Sequence, residues 1–244
     1  MRYDKKSSKY LTTLKRSSLL DGFKEYYQNS LGQSYPFVLD LPKFKLLFFT
    51  DWYYHKSIKK ILNRLIICEV NNDLEVNKMH IFKQGLFSKA GAIRGYLIDN
   101  HLFFFIPIFK NFEIDFPNYY IHKFDFTLDF EETFESFIKR FSESKGTYIH
   151  TGLDKTTCFN LMETIENKTK KYEVIYAGRN NNEGYKLYLA NINKDFNLVS
   201  NIRILELNQS LSYPYVFKEG NIFRMISSLG RYGDSGIIMS KILK

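Results

Sequence analysis

The chain has 244 residues and a mass of 29.0 kDa, and 44% of its residues are hydrophobic, enough to bury a core. Its longest apolar run, "HLFFFIPIF" from His101, is half of what a bilayer-crossing helix needs, so no membrane partner is expected. The net charge of +9 suits an anionic partner, but its 35 Lys and Arg are scattered among 26 acids, which disfavours nucleic acid.

In chain order, "MRYDKKSSKY" carries positive charge with no apolar stretch behind it, so no secretory signal is read and a cytoplasmic address is expected. "KYLTTLKRSS" (Lys9 to Ser18) stands alone as a spare strand. Ser34-Tyr35-Pro36-Phe37-Val38 then leads through a turn at Asp40-Leu41-Pro42-Lys43 into "FKLLFF", a hairpin pattern. In "HKSIKKILNR", Ile58, Ile61, Leu62 and Leu65 fall at helical spacing beside Lys56, Lys59, Lys60 and Arg64, which predicts a short helix with a solvated basic face. "LIICEVNNDL" and "VNKMHIFKQ" read as a third and a fourth strand.

The same order then recurs. "GAIRGYLIDNHLFFFIP" turns at Asp99-Asn100, "YYIHKFDFTLDF" ends at Asp129-Phe130, and "FESFIKRFS" supplies a fourth apolar run, followed by a connector over Phe141 to Thr157. "CFNLMETIENKTKKYEVIYAG" turns around Asn167, "KLYLANINKDF" ends at Asp195-Phe196, and "NLVSNIRILEL" follows. Finally Ser212-Tyr213-Pro214-Tyr215-Val216 nearly repeats the first pentapeptide, turns at Lys218-Glu219-Gly220-Asn221, and is followed by "IFRMISS" and "SGIIMSKILK", where only three strands fit.

Four hairpins starting near residues 34, 91, 158 and 212 are spaced by about 54 to 67 residues, the mark of a radially repeated fold. The expectation is an all-β propeller of four to five blades, one domain over residues 1–244. The N-terminal strand would close the ring against the three-stranded last blade and so remove two open edges. An antiparallel sandwich would also give short apolar strands, but not three features in one order at one period.

These stretches resemble the glycoside-hydrolase-type propellers, the group around families 43 and 32, and especially their bacterial glycosidase-like relatives. "YEVIYAGRNNNEGYKLYLAN" (Tyr172 to Asn191) is similar to their blade core, with Arg179 at its arginine. "SYPYVFKEGNIFRMISSLGRYGDSGIIMS" resembles their final blade, and "QGLFSKAG" (Gln84 to Gly91) the start of their second. The resemblance covers roughly Lys9 to Lys244 and implies a saccharide ligand. Five blades are usual in that group, and four are counted here.

Glycoside hydrolysis requires two carboxyl groups flanking the bond. The family's first-blade Asp-Pro is Tyr35-Pro36 here, its Phe-Asp-Asp is Phe87-Ser88-Lys89, and its Ser-Arg-Pro is Cys158-Phe159-Asn160, so the innermost strands lack an obvious acid pair. The nearby acids left as catalytic candidates are Asp51 beside Trp52, Asp234 in "GRYGDSG", and Glu163. For sugar binding the resemblance points to aromatic faces at Tyr35, Trp52, Tyr213 and Tyr232, and to hydrogen-bonding cations at Lys89, Arg94, Arg179 and Arg231. Gly230, Gly233 and Gly236 lack a phosphate-loop setting and read as a turn.

Cys68 and Cys158 form no CxxC pair, and the five histidines share no ligand spacing, so no disulfide, metal or cofactor is expected. Two functions compete. One is a propeller acting on or transferring an anionic or nucleotide-linked sugar in bacterial surface-polysaccharide metabolism. The other is a non-catalytic sugar-binding propeller that has lost the glycosidase carboxylates. An interaction propeller for protein or nucleic acid is supported by net charge alone.

Overall fold

The computed structural model describes residues 2–4, 9–11, 30–57, 59–82, 91–109, 118–166, 169–193, 195–198, 203–205, 211–229 and 236–242. The chain divides into two compact units. The first comprises Met1–Ser88 with Asp129–Ser142, and the second Lys89–Leu128 with Glu143–Lys244.

In the first unit β1 (Arg2–Asp4) pairs with β2 (Lys9–Leu11) as a small antiparallel ribbon. A four-stranded antiparallel meander follows: β3 (Ser30–Asp40), β4 (Lys45–His55), β5 (Lys60–Val70) and β6 (Val76–Ile81), in that spatial order. Leu46 and Phe48 on β4 and the run Leu65 to Cys68 on β5 have no exposed surface, as expected of central strands covered on both faces. Of the Lys9 to Ser18 strand expected to close the ring, Lys9–Leu11 pairs with β1, and the rest lies outside the described residues.

Two predicted elements change type. "HKSIKKILNR" is not a helix but the turn and first half of β5, with His55 paired to Lys60 and Tyr53 to Leu62. The residues from Leu62 to Cys68 are buried against β4, although Ile61 stays exposed, and that burial outweighs the accidental helical spacing. "FESFIKRFS" is not a fourth strand but helix α1 (Phe134–Glu143). Phe134, Phe137, Ile138 and Phe141 are buried on one face, and Thr133 caps the start, its Oγ1 accepting from the Ser136 N–H at 3.2 Å. Phe137 and Phe141 stack at 5.5 Å, and Phe48 lies 6.5 and 6.3 Å from them. Arg140 reaches back 2.8 Å to the buried Glu132, whose pKa burial raises and Arg140 pulls down.

The second unit holds two sheets. In the larger, β7 (Arg94–Ile98), β8 (His101–Phe109) and β9 (Tyr119–Thr127) form a meander, with β10 (Thr147–Tyr148) also on β9. A second meander of β11 (Lys155–Glu166), β12 (Thr169–Arg179), β13 (Lys186–Ile192) and β14 (Arg203–Leu205) joins it by one parallel residue pair, Lys155 with Tyr119. The other sheet is β15 (Leu211–Glu219), β16 (Ile222–Leu229) and β17 (Ile237–Ile242). Phe105, Phe159, Tyr176 and Tyr188 stack successively through the core at 4.8, 5.7 and 5.3 Å.

Repetition is visible in the backbone. Tyr35, Cys158 and Tyr213 all have left-handed φ values, 57°, 54° and 53°, and each sits in a bulge of the first strand of its meander. The turns "NNDLE" and "NKDFN" are likewise alike: the side-chain oxygens of Asn71 and Asn193 each accept from the backbone N–H groups two and four residues on, at 2.9 to 3.0 Å. Leu74 and Phe196 take the left-handed position in these turns. The Asp99-Asn100 hairpin turn has two positive φ values, 47° and 64°, as a two-residue turn of matching twist requires.

Candidate functional site

In three of the four described meanders the first strand bulges, and a non-glycine residue, Tyr35, Cys158 or Tyr213, is held left-handed there. Such a conformation costs about 1 to 3 kcal/mol for a bulky residue and persists only where its surroundings impose it. In the second unit the surroundings can be followed atom by atom. Asn160, the residue that resumes pairing after the Cys158 bulge, has no exposed surface. Its Nδ2 donates to the carbonyls of Cys158 at 2.6 Å, Ile175 at 3.3 Å and Pro214 at 3.0 Å. Its Oδ1 accepts from the Val216 N–H at 3.2 Å and from Arg94 Nε at 3.3 Å. One amide thus joins the first strands β7, β11 and β15.

Arg94 is thereby fixed. Only 7% exposed, it gives Nε to Asn160 and Nη1 to the Ile93 carbonyl at 2.7 Å, and its Nη2 donates to none of the described residues. The guanidinium stands 5.2 Å from the centre of the Tyr215 ring. The Leu161 N–H donates to the Tyr96 hydroxyl at 2.9 Å, and burial raises that phenol to about 12. Burial also raises the Cys158 thiol, which Arg94 opposes, so the thiol is held protonated and unreactive. Arg179 and Tyr213 lie in the same unit, bracketing Tyr185: the guanidinium is 5.2 Å and the Tyr213 ring 6.5 Å from the Tyr185 ring.

Tyr35, Asp51 and Trp52 belong to the first unit. Asp51 has no exposed surface; Ser30 donates to Oδ1, and Arg64 Nε donates to Oδ2 at 3.0 Å. Arg64 also lies over the Tyr53 ring at 4.5 Å, and Trp52 Nε1 donates to Ser34 Oγ at 2.8 Å. Glu163 is in the second unit, on the half of β11 away from the bulge, where it accepts from the Tyr172 hydroxyl at 3.2 Å and faces Lys170 at 3.6 Å. Lys89, Arg231, Tyr232 and Asp234 lie outside the described residues.

The sequence reading missed Asn160, Tyr215 and Arg64. An asparagine inside the apolar run "CFNLM" was the available signal for the first, since a buried amide must be bonded on all sides. Arg64 was assigned to a solvated face and is 8% exposed, because the strand that replaces the predicted helix places it opposite Asp51.

No protein-family pattern and no curated sequence matches the chain. Solved structures do. A crystal structure of an alpha-L-arabinofuranosidase from Lactobacillus brevis superposes with a TM-score of 0.56 and 15% identity, over 86% of this chain and 66% of that one. An exo-1,5-alpha-L-arabinanase from a bovine ruminal metagenomic library gives 0.52 and 8%, over 88% and 75%. The chain thus spans about two thirds to three quarters of these structures and shares their β-propeller fold.

Proposed function

We propose that the chain is a carbohydrate-active propeller in which each meander is one blade, and that it takes a saccharide at the bulged ends of the first strands. The observation that carries this reading is Arg94, locked by Asn160 against the face of Tyr215, with Tyr213 held left-handed on the same strand as Tyr215. A rigid guanidinium offers directed donors to hydroxyl or carboxylate oxygens without losing rotamer freedom, and aromatic faces pack on the apolar faces of sugar rings. The fold is one in which the neighbouring structures act on arabinose-containing saccharides, so arabino-oligosaccharides are the first ligands to test. The surplus of 9 positive charges favours an anionic or nucleotide-linked sugar, which would suit surface-polysaccharide metabolism in the cytoplasm.

Binding without hydrolysis is the form the geometry favours. Among the described residues, the bulged halves of β3, β11 and β15 and the start of β7 carry no carboxylate. Asp51 is closed off with both oxygens engaged, and Glu163 lies five residues beyond Cys158, roughly 16 Å along an extended strand. Asp234 then becomes the acid whose replacement decides between binding and catalysis. Calorimetric titration with arabino-oligosaccharides, uronic-acid oligosaccharides and sugar nucleotides should show binding, at least about tenfold weaker in Tyr213→Ala. Absence of binding to every saccharide would sink the proposal. Turnover of an aryl arabinofuranoside that disappears in Asp234→Asn would restore the enzyme.

A further inference from the structure

Two buried charges in this chain come with opposite partners: Arg64 faces Asp51 at 3.0 Å, and Glu132 faces Arg140 at 2.8 Å. Arg94 differs. It is equally buried, yet no carboxylate of the described residues pairs with it. Its Nε and Nη1 go to neutral acceptors, Asn160 Oδ1 and the Ile93 carbonyl, and its guanidinium rests on the Tyr215 ring. A charge kept from water without a counter-charge is costly, and arginine, unlike lysine, cannot give up a proton to lower that cost. Nη2 donates to none of the described residues, but it is not one of the unbonded atoms sealed from solvent. The charge is therefore unmatched among the described residues and reachable from outside.

We propose that the saccharide taken at this site is an acidic one, a uronic acid whose carboxylate pairs with Arg94 Nη2 while its ring lies beside Tyr215. The ring part rests on the function proposed above; the carboxylate part rests on the missing counter-charge. Around Arg94 the bulged halves of β11 and β15 and the start of β7 carry no acid, so the ligand has to bring one. Charge decides between the possible oxyanions. A carboxylate matches one guanidinium, whereas a phosphate monoester carries about −1.5 to −2 and would leave part of its charge unmatched in a place so little exposed. Geometry agrees, because with Nε and Nη1 engaged only Nη2 is left for an incoming oxygen. Asn160 is the positioning residue: its Nδ2 is anchored to three carbonyls and its Oδ1 holds Nε, so the guanidinium loses little rotamer freedom when the ligand arrives. Tyr215, 44% exposed, offers the adjoining aromatic surface.

The test is calorimetric titration of the full chain with galacturonate, its methyl ester, galactose, a galactose phosphate and acetate. Wild type should bind galacturonate at least about tenfold more tightly than galactose or the methyl ester, which keeps the ring and removes only the charge. The galactose phosphate should fall behind galacturonate. Arg94→Gln, checked for native circular dichroism, should lose the preference for the acid over its ester; if that variant does not fold, the acid and ester compared on wild type decide alone. Equal binding of galacturonate and its methyl ester by wild type overturns the proposal and leaves the saccharide reading standing. A preference for galacturonate that survives in Arg94→Gln overturns it too, as does tighter binding of the phosphate sugar or no binding of galacturonate at all. Acetate binding that disappears in Arg94→Gln, with no sugar held more tightly than acetate, supports the carboxylate site and removes the saccharide reading instead.

Discussion

Replacing Asp51 by asparagine keeps the size of the side chain and removes only its charge, which leaves the Arg64 guanidinium, 8% exposed, facing an uncharged partner on β4. Breaking a buried pair in this way costs about 3 to 5 kcal/mol, because the surviving charge remains desolvated. Urea denaturation of Asp51→Asn should show a loss of that order, and the double variant Asp51→Asn with Arg64→Met should lose less than the sum of the two single changes. If Asp51 instead served as a reacting group, Asp51→Asn would abolish turnover and leave the denaturation midpoint nearly unchanged. This residue also shows what the sequence could carry. "TDW" advertised an acid beside an aromatic, but its partner thirteen residues on became visible only when the intervening segment proved to be a strand.

The turns that end β5 and β13 are one element used twice, and the two copies should respond oppositely to the same change. Leu74 and Phe196 have φ of 63° and 57°, a region glycine occupies without strain. Leu74 is exposed, so Leu74→Gly should stabilise by up to about 1 kcal/mol. Phe196 is buried, its ring 4.1 Å from Phe103 and 5.2 Å from Tyr172, so Phe196→Gly should cost about 3 kcal/mol despite the same backbone relief. Thermal melts of the two variants make the comparison. Elements of this kind were legible because Asn, Asp, Gly and Pro announce turns locally, and the hairpins at Asp40, Asp99 and Gly220 fall where their residues place them. The misread elements are those in which local pattern and tertiary burial diverge. "HKSIKKILNR" has helical spacing but lies between long strands that can pair with it. "FESFIKRFS" was judged by its place in the repeat, although Phe134, Phe137, Ile138 and Phe141 spell a helical face.

Across the whole molecule, buried ionisable groups make stability fall in alkali. In the first unit burial raises the Cys68 thiol from 9.0 to about 12; in the second it raises the Tyr96 phenol from 10.0 to about 12, and Tyr176 also moves upward. A raised folded pKa contributes stability that is complete below the unfolded value and is lost as pH climbs through the folded one. For Cys68 that window runs from 9.0 to about 12 and is worth roughly 4 kcal/mol at its far end. Denaturation midpoints should therefore drop steeply across this range, with the Tyr96 and Tyr176 share of the phenolate absorbance appearing only as the chain unfolds. Cys68→Val should flatten the decline. The repeat pattern revealed the propeller class, whereas the division into two units and the bonding among β7, β11 and β15 depend on residues far apart in sequence. Asn160 embodies that distance, and it also has a bearing on folding kinetics. Each meander can form from neighbouring strands, but the bonds from Asn160 to Arg94 and to Pro214 close separations of 66 and 54 residues. Closures of that length pay their chain entropy before they gain contacts and belong to the late part of folding. Asn160→Ala should accordingly leave the refolding rate nearly unchanged and speed unfolding roughly a hundredfold, so that this one amide sets how long the folded second unit lasts rather than how quickly it forms.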